Sequence, residues 1–237
     1  MNTCLNCDLT YNGDFCPSCG QKATTHRINW RSFILQLPQS LFNIEKGFWY
    51  TFKELTLAPR KALDGYLAGK RVNFFPPIQY AILGVSLYSV LQEFWPIPFP
   101  ELPEDIQDVQ TYNMGYEIGR LIRGKLKFFW LMGIVLFAMP SWLIFRKYNF
   151  TEHMVLSAYI IGHTAFLGVF SLLIYALPIM VNPLIYLLMG AYYFFLFRLP
   201  VNSLGTLASS FSVVLLGFVS FFMMPLFAYW YQLLFVL

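Results

Sequence analysis

The pattern of apolar and polar positions changes near residue 73. After that point charge-free runs recur, and the longest, His153–Phe197, contains no Asp, Glu, Lys or Arg. One helix needs about 20 residues to cross a bilayer, so this run predicts two helices with a turn near Pro178 and Asn182-Pro183. The runs together predict an all-α integral membrane protein with about five transmembrane helices in a bundle over residues 74–237. The predicted spans lie near residues 74–95, 126–145, 153–177, 180–198 and 206–230.

Residues 23–73 are amphipathic rather than uniformly apolar. Trp30, Phe33 and Leu37 recur at helical spacing, and charged side chains such as Lys53 interrupt the apolar stripe that follows. These runs are too short and too charged to span a bilayer. We therefore predict amphipathic helices at the cytoplasmic interface, with the apolar face towards lipid and the basic side chains near the headgroups. A soluble helical hairpin packed on the membrane helices is an equal alternative.

All four cysteines lie in residues 1–22, where they form two CxxC pairs. Four thiolates are a tetrahedral ligand set that a structural Zn²⁺ prefers. Gly20 follows the second pair, at a position where a positive φ is often required. The spacing therefore predicts a small four-cysteine zinc ribbon, in which one structural Zn²⁺ is bound by Cys4, Cys7, Cys16 and Cys19.

Other chemistry is open to the same four cysteines. Two disulfides do not suit a reducing cytosol, and a redox CxxC pair needs no duplicate. An iron site of the rubredoxin type fits the ligands, although zinc is the commoner metal in such a set. A closed four-cysteine site leaves no coordination position for a reacting water, so we expect the metal to be structural.

Composition argues against a water-soluble fold. Hydrophobic residues make up 57% of the 237-residue chain and charged residues 12%, whereas soluble domains are about one quarter charged. The chain opens without a basic segment followed by an apolar run, so we expect no cleavable signal peptide and a cytosolic N-terminus. With five spans, Lys70-Arg71, Arg146-Lys147 and Arg198 share one side, which the positive-inside rule makes cytoplasmic. The expected location is the inner cell membrane, with the lipid bilayer as the first partner.

Few ionisable groups fall inside the predicted spans. His163 is the only one deep within a span, and intramembrane ionisable groups are functional candidates. A structural role, with the imidazole bonded to a neighbouring helix, is the favoured interpretation, because Ala158 and Gly162 form a small-xxx-small pair beside it. Lys70 and Arg71 are candidates for contact with a lipid headgroup or another anion, and an ordinary positive-inside anchor is the simpler interpretation.

Catalysis is unsupported by the sequence. No predicted span clusters Asp, Glu or His, or places a serine beside a base, and no phosphate-binding or HExxH pattern occurs. Glu152 and His153 are adjacent in sequence and leave a helix about 100° apart, so they do not converge unaided. The basic residues are scattered rather than gathered in one stripe, which argues against nucleic acid as a partner.

A family resemblance rests on residues 46–80 together with the cysteine pairs. The segment contains Lys46-Gly47-Phe48-Trp49-Tyr50, Ala58-Pro59-Arg60, Tyr66-Leu67-Ala68-Gly69-Lys70-Arg71 and Phe75-Pro76-Pro77. It resembles an uncharacterised bacterial family of multi-pass membrane proteins, domain of unknown function 3667. The resemblance implies a zinc ribbon followed by several membrane helices, and it implies no activity.

The first functional hypothesis is a non-enzymatic docking or accessory membrane module, with a protein partner at the ribbon. The alternative is an oligomeric transporter or channel for small solutes or ions, in which homo-oligomers would supply the path. A membrane enzyme ranks third.

Overall fold

The computed structural model describes residues 1–25, 28, 30, 44–94, 132–173, 179, 182–197 and 203–235. In this part of the chain a two-stranded antiparallel sheet precedes seven α-helices, so the predicted mostly helical fold is confirmed. The strands are β1 (Asn2–Thr3) and β2 (Thr10–Tyr11). The helices are α1 (Ile44–Leu57), α2 (Pro59–Leu67), α3 (Pro77–Glu93), α4 (Met132–Phe145), α5 (Phe150–Gly168), α6 (Pro183–Phe197) and α7 (Ser203–Phe235). A 3-10 turn, Val169–Leu173, continues α5.

Several sequence predictions fall on other parts of the chain. Most of the amphipathic stretch before α1 lies outside the described residues, which there include only 23–25, 28 and 30. The connection between α3 and α4, the turn at Pro178 and the basic residue Arg198 also lie outside them.

The helix boundaries follow from local sequence. Pro59, Pro77 and Pro183 stand at the first positions of α2, α3 and α6, where the missing N–H costs nothing. α5 begins with a capping box: the Asn149 side chain accepts from the Glu152 backbone, and the Glu152 carboxylate accepts from the Asn149 N–H, both at 2.8 Å. The side chain of Glu152 therefore stabilises the N-terminus of α5.

α5 is the centre of the described bundle. Nearly every residue from Glu152 to Gly168 is buried, on all faces of the helix. α3 crosses it most closely at Gly162, where an added Cβ would lie 2.8 Å from Ala81 Cα and from the Tyr80 carbonyl oxygen. The predicted close packing of this small-residue face is thus present, and Gly84 of α3 lies against the Gly162 carbonyl.

α1 and α2 pack against the bundle rather than standing apart from it. Phe48 of α1 makes edge contacts with Phe166, at 5.2 Å between ring centroids, and Tyr192 of α6 donates to the Leu55 carbonyl at 3.2 Å. Leu55 is 1% exposed. Such contacts are expected if α1 and α2 form a helical hairpin that packs on the other helices, which is one of the two interpretations of this segment.

One helix among the described residues is long and apolar enough to cross a membrane on its own. It is α5 with its 3-10 continuation, Phe150–Leu173, which has 24 residues and a mean hydropathy of 1.7, with 83% of its apolar window buried. Shorter apolar helices are Met132–Phe145, Pro183–Phe197 and Leu204–Ser220. The count of five spans therefore stays a prediction.

Candidate metal centre and buried polar clusters

Each cysteine pair lies in a tight turn that points its thiols to one place. The Cys4 N–H donates to the Leu9 carbonyl at 2.9 Å, and the Cys16 N–H donates to the Gln21 carbonyl at 2.8 Å. Both turns need a positive φ after the second cysteine: Gly20 has φ 75°, as expected, and Asp8 has φ 60°. Antiparallel pairing of β1 with β2 holds the first turn at its base.

The four sulfur atoms form one cluster. The Sγ atoms of Cys4, Cys7, Cys16 and Cys19 all lie within 4.8 Å of one another, with Cys4 to Cys19 at 3.4 Å and Cys7 to Cys16 at 3.6 Å. A tetrahedron of sulfurs about 2.3 Å from Zn²⁺ has edges of about 3.8 Å. The predicted ligands therefore come together in a geometry that fits a metal ion, and the same donor set suits iron as well as zinc.

The thiols perturb one another strongly. Burial acts to raise the pKa of Cys4, but backbone N–H groups of Asn6 and Cys7, with the neighbouring thiols, lower it to about 7. For Cys7 the backbone at Leu9 lowers the pKa, while burial and the three other thiols outweigh it and raise the pKa to about 12. Four thiolates do not coexist here without a cation between them, and a metal ion supplies that charge.

Lys70 and Arg71 lie in the turn after α2, directly under the ribbon. Lys70 is exposed, whereas Arg71 folds back so that its Nε donates to the Tyr66 carbonyl at 3.3 Å and its guanidinium lies 5.6 Å from the centre of the Tyr66 ring. The structure thus brings the basic turn and the metal cluster together, which residue spacing did not indicate.

His163 is completely buried and hydrogen-bonded on both ring nitrogens. Its Nδ1 lies 2.7 Å from the Tyr80 hydroxyl, and its Nε2 lies 3.2 Å from Thr56 Oγ1. The Thr56 hydroxyl already donates to the Phe52 carbonyl at 2.8 Å, so it can only accept from the imidazole. This network requires a proton on Nε2, and in a neutral imidazole Nδ1 then accepts from the Tyr80 hydroxyl. His163 therefore joins α1, α3 and α5, as the structural interpretation predicts.

A second buried histidine has a partner that the sequence analysis missed. Ser141 Oγ lies 2.8 Å from His153 Nδ1, and both side chains are 0% exposed. The expectation that no serine stands beside a base is wrong, because the turn between α4 and α5 folds these two helices side by side. Within the described part of the chain, His153 Nε2 has no hydrogen-bond partner. A catalytic triad has a third group that orients the base, and no described residue occupies that position beside His153.

Asn182 caps the start of α6. Its side-chain oxygen accepts from the Leu184 N–H at 3.0 Å, and its amide nitrogen donates to Tyr88 at 2.8 Å and to Ser171 at 2.7 Å. These bonds hold the start of α6 to α3 and to the 3-10 turn.

Asp64 links α2 to the turn between α4 and α5. The Tyr148 hydroxyl donates to the Asp64 carboxylate, and Lys147 Nζ lies 3.4 Å from it. Burial, followed by the Asp64 carboxylate, raises the pKa of Tyr148, so the phenol stays protonated and remains a donor. This link brings the basic residues at 146 and 147 to the helix that precedes Lys70 and Arg71.

These features define a helical bundle that carries a small four-cysteine module on its N-terminal side. Residues 45–89, which contain α1, α2 and most of α3, match the model of a family described as Protein of unknown function (DUF3667), and this match confirms the family that the sequence resembles. The cysteine module and the helices after α3 lie outside the matched segment. No curated protein and no solved structure matches the chain.

Proposed function

We propose that the protein is a multi-pass protein of the inner membrane, and that its N-terminal ribbon binds one structural zinc ion and acts as a cytoplasmic docking module. The observation that supports membrane insertion is the outer surface of the bundle. α5 is buried all round, yet the helices that surround it also present apolar side chains outwards.

The outward stripe on α7 is the clearest instance. Leu204, Leu207, Phe211, Leu215 and Val219 recur every three or four residues and are between 39% and 78% exposed. α3 and α4 carry similar outward side chains: Ile82, Leu87, Val90, Met132, Val135, Met139 and Leu143. Soluble monomers rarely expose contiguous apolar patches larger than a few hundred Å². A hydrocarbon solvent removes the cost of such a surface, which supports the five-span arrangement.

The membrane part of the proposal is tested by extraction. Membranes that contain the full chain are washed at alkaline pH, and the protein is then followed between pellet and supernatant. We expect the protein to stay in the pellet until detergent is added. Release by the alkaline wash, or a monodisperse protein in buffer without detergent, would overturn the proposal.

The ribbon also has apolar side chains that are exposed. Leu9 is 42% exposed and Phe15 is 62% exposed, whereas Cys4 and Cys16 are buried. Aromatic side chains are enriched at protein–protein interfaces. The proposed partner is therefore a protein that contacts Leu9 and Phe15 from the cytoplasm.

A photo-crosslinking amino acid placed at Phe15 tests the docking role in cells. We expect a discrete adduct with one protein, lost in Cys16→Ser, and no such adduct from the same probe at the exposed control position Thr24. Equal adduct patterns from both positions would contradict docking. Transport stays the alternative, and His163 lends it no support because both imidazole nitrogens are already bonded.

A further inference from the structure

The ribbon contacts the helical part of the protein through the side chain of Gln21, two positions after the last cysteine. Gln21 is 5% exposed, and its Nε2 donates to the Gly69 carbonyl at 2.9 Å. Its Oε1 accepts from the Arg71 N–H at 3.4 Å. One amide therefore bonds to two backbone groups of the same turn, as a neighbouring strand would. A buried amide with both ends bonded has a defined orientation.

A second contact comes from the other cysteine pair. Leu5 lies between Cys4 and Cys7, and its side chain packs on Gly69. Gly69 has φ +110°, and an added Cβ would lie 2.7 Å from Leu5 Cδ1. Two constraints therefore favour glycine at position 69: the positive φ of the backbone and the space that Leu5 occupies.

The metal is the element that joins these two contacts. Leu5 belongs to the first cysteine turn, and Gln21 is tied to the second through the bond from the Cys16 N–H to its carbonyl. The buried cluster of the module consists of Tyr11 with Cys4 and Cys16, so its core is made largely of the ligands themselves. The two turns therefore keep a fixed separation only when a cation neutralises the thiolates. Loss of the metal should therefore release both contacts together.

We propose that the ribbon is a metal-dependent clasp on the turn of Gly69, Lys70 and Arg71. This inference rests on the zinc binding proposed above. With the metal bound, Gln21 and Leu5 hold the turn closed, and the Arg71 backbone is fixed beneath the ribbon. Without the metal, the turn opens and its backbone becomes accessible to a protease. The clasp thus connects metal occupancy of the N-terminal module to the segment that the family model matches.

Trypsin reports directly on this turn, because it cleaves after Lys70 and after Arg71. The full chain in detergent is compared in three states: zinc-loaded wild type, chelator-treated wild type and zinc-loaded Gln21→Ala. The measured quantity is the rate at which fragments beginning at Arg71 or Val72 appear, relative to cleavage after the exposed Lys61 of α2. When opening is fast, this rate follows the population of the open turn.

We expect cleavage at the turn to rise about tenfold on chelation and about tenfold in Gln21→Ala, as for the loss of two modest hydrogen bonds. Thr24→Ala, an exposed change in the same module, should cleave like the wild type. Zinc content is measured on every sample. Gln21→Ala that keeps its zinc and is cleaved as slowly as wild type would overturn the clasp.

The zinc measurement separates the two proposals. Wild type without bound zinc would contradict the proposed metal site, whereas full zinc with unchanged cleavage in Gln21→Ala contradicts the clasp alone. If Gln21→Ala does not fold, Leu5→Ala decides, because it removes the other contact and leaves every thiol in place. Protection of the turn in zinc-loaded Leu5→Ala equal to that of wild type would then overturn the clasp.

Discussion

The crossing of α3 over α5 offers the sharpest test of the fold. In Gly162→Ala the new methyl would lie 2.8 Å from Ala81 Cα and from the Tyr80 carbonyl oxygen. Both are backbone atoms, so no side-chain rotation can relieve the contact. Carbon atoms pack at about 3.5–4.0 Å, so α3 must move away by roughly 1 Å.

That displacement acts on a hydrogen bond one residue further along. The Tyr80 hydroxyl lies 2.7 Å from His163 Nδ1, and a movement of about 1 Å takes this pair beyond hydrogen-bond range. Overpacking of this kind costs about 1–3 kcal/mol, and a buried unsatisfied group adds about 1–3 kcal/mol. We expect the melting temperature of Gly162→Ala in detergent to fall by about 5–15 °C.

Gly190→Ala is the matched control. Gly190 is also a buried helical glycine, but the nearest atom to its added Cβ is Phe211 Cε1 at 3.8 Å, which is ordinary contact. Alanine is the better helix former by about 1 kcal/mol, so this variant should be as stable as wild type or slightly more stable. Equal melting temperatures for Gly162→Ala and Gly190→Ala would refute the close crossing.

Three further predictions concern the ribbon and the α2 link. Cys16→Ser should lower bound zinc from about one per chain to near zero, as measured by metal analysis, because a closed site needs all four ligands; retention of full zinc would contradict the site. The folded ribbon lowers the pKa of Cys4 to about 7. The Cys4 thiolate therefore contributes fully to the stability of the folded ribbon above the ordinary pKa of a thiol, and this contribution is lost as the pH falls through 7. Zinc affinity, measured by competition with a chelator, should therefore decrease with acid, and a constant affinity between pH 8 and pH 6 would be evidence against thiolate ligands. Tyr148→Phe removes the donor to Asp64 and should lower the free energy of unfolding by about 1 kcal/mol, whereas Tyr50→Phe, at a half-exposed ring, should leave it unchanged.

The cysteine cluster was predictable because its spacing is a local property. Two CxxC turns direct four thiols to one point wherever the rest of the chain goes, and the sulfurs lie within 4.8 Å of one another as the pattern requires. The capping box at Asn149 and Glu152 was readable by the same logic, since an acid three residues after a capping residue marks a helix start. The predicted span began at 153, which is inside that helix.

Contacts between helices were not readable in the same way. Ser141 and His153 are twelve positions apart and meet only because the turn between α4 and α5 is tight. Gln21 and Gly69 are separated by 48 positions, and nothing in either local pattern pairs them. Apolar runs predict that helices form, but in a chain whose buried and outward faces are both apolar they do not indicate which faces meet.

The central position of α5 has a consequence for any passage of solutes. A helix that is packed on every side occupies the axis along which a single-chain pore would run. Its crossing with α3 is so close that even a methyl group does not fit at Gly162. Within the described part of the chain, a permeation route would therefore run beside α5 and not along the axis of the bundle.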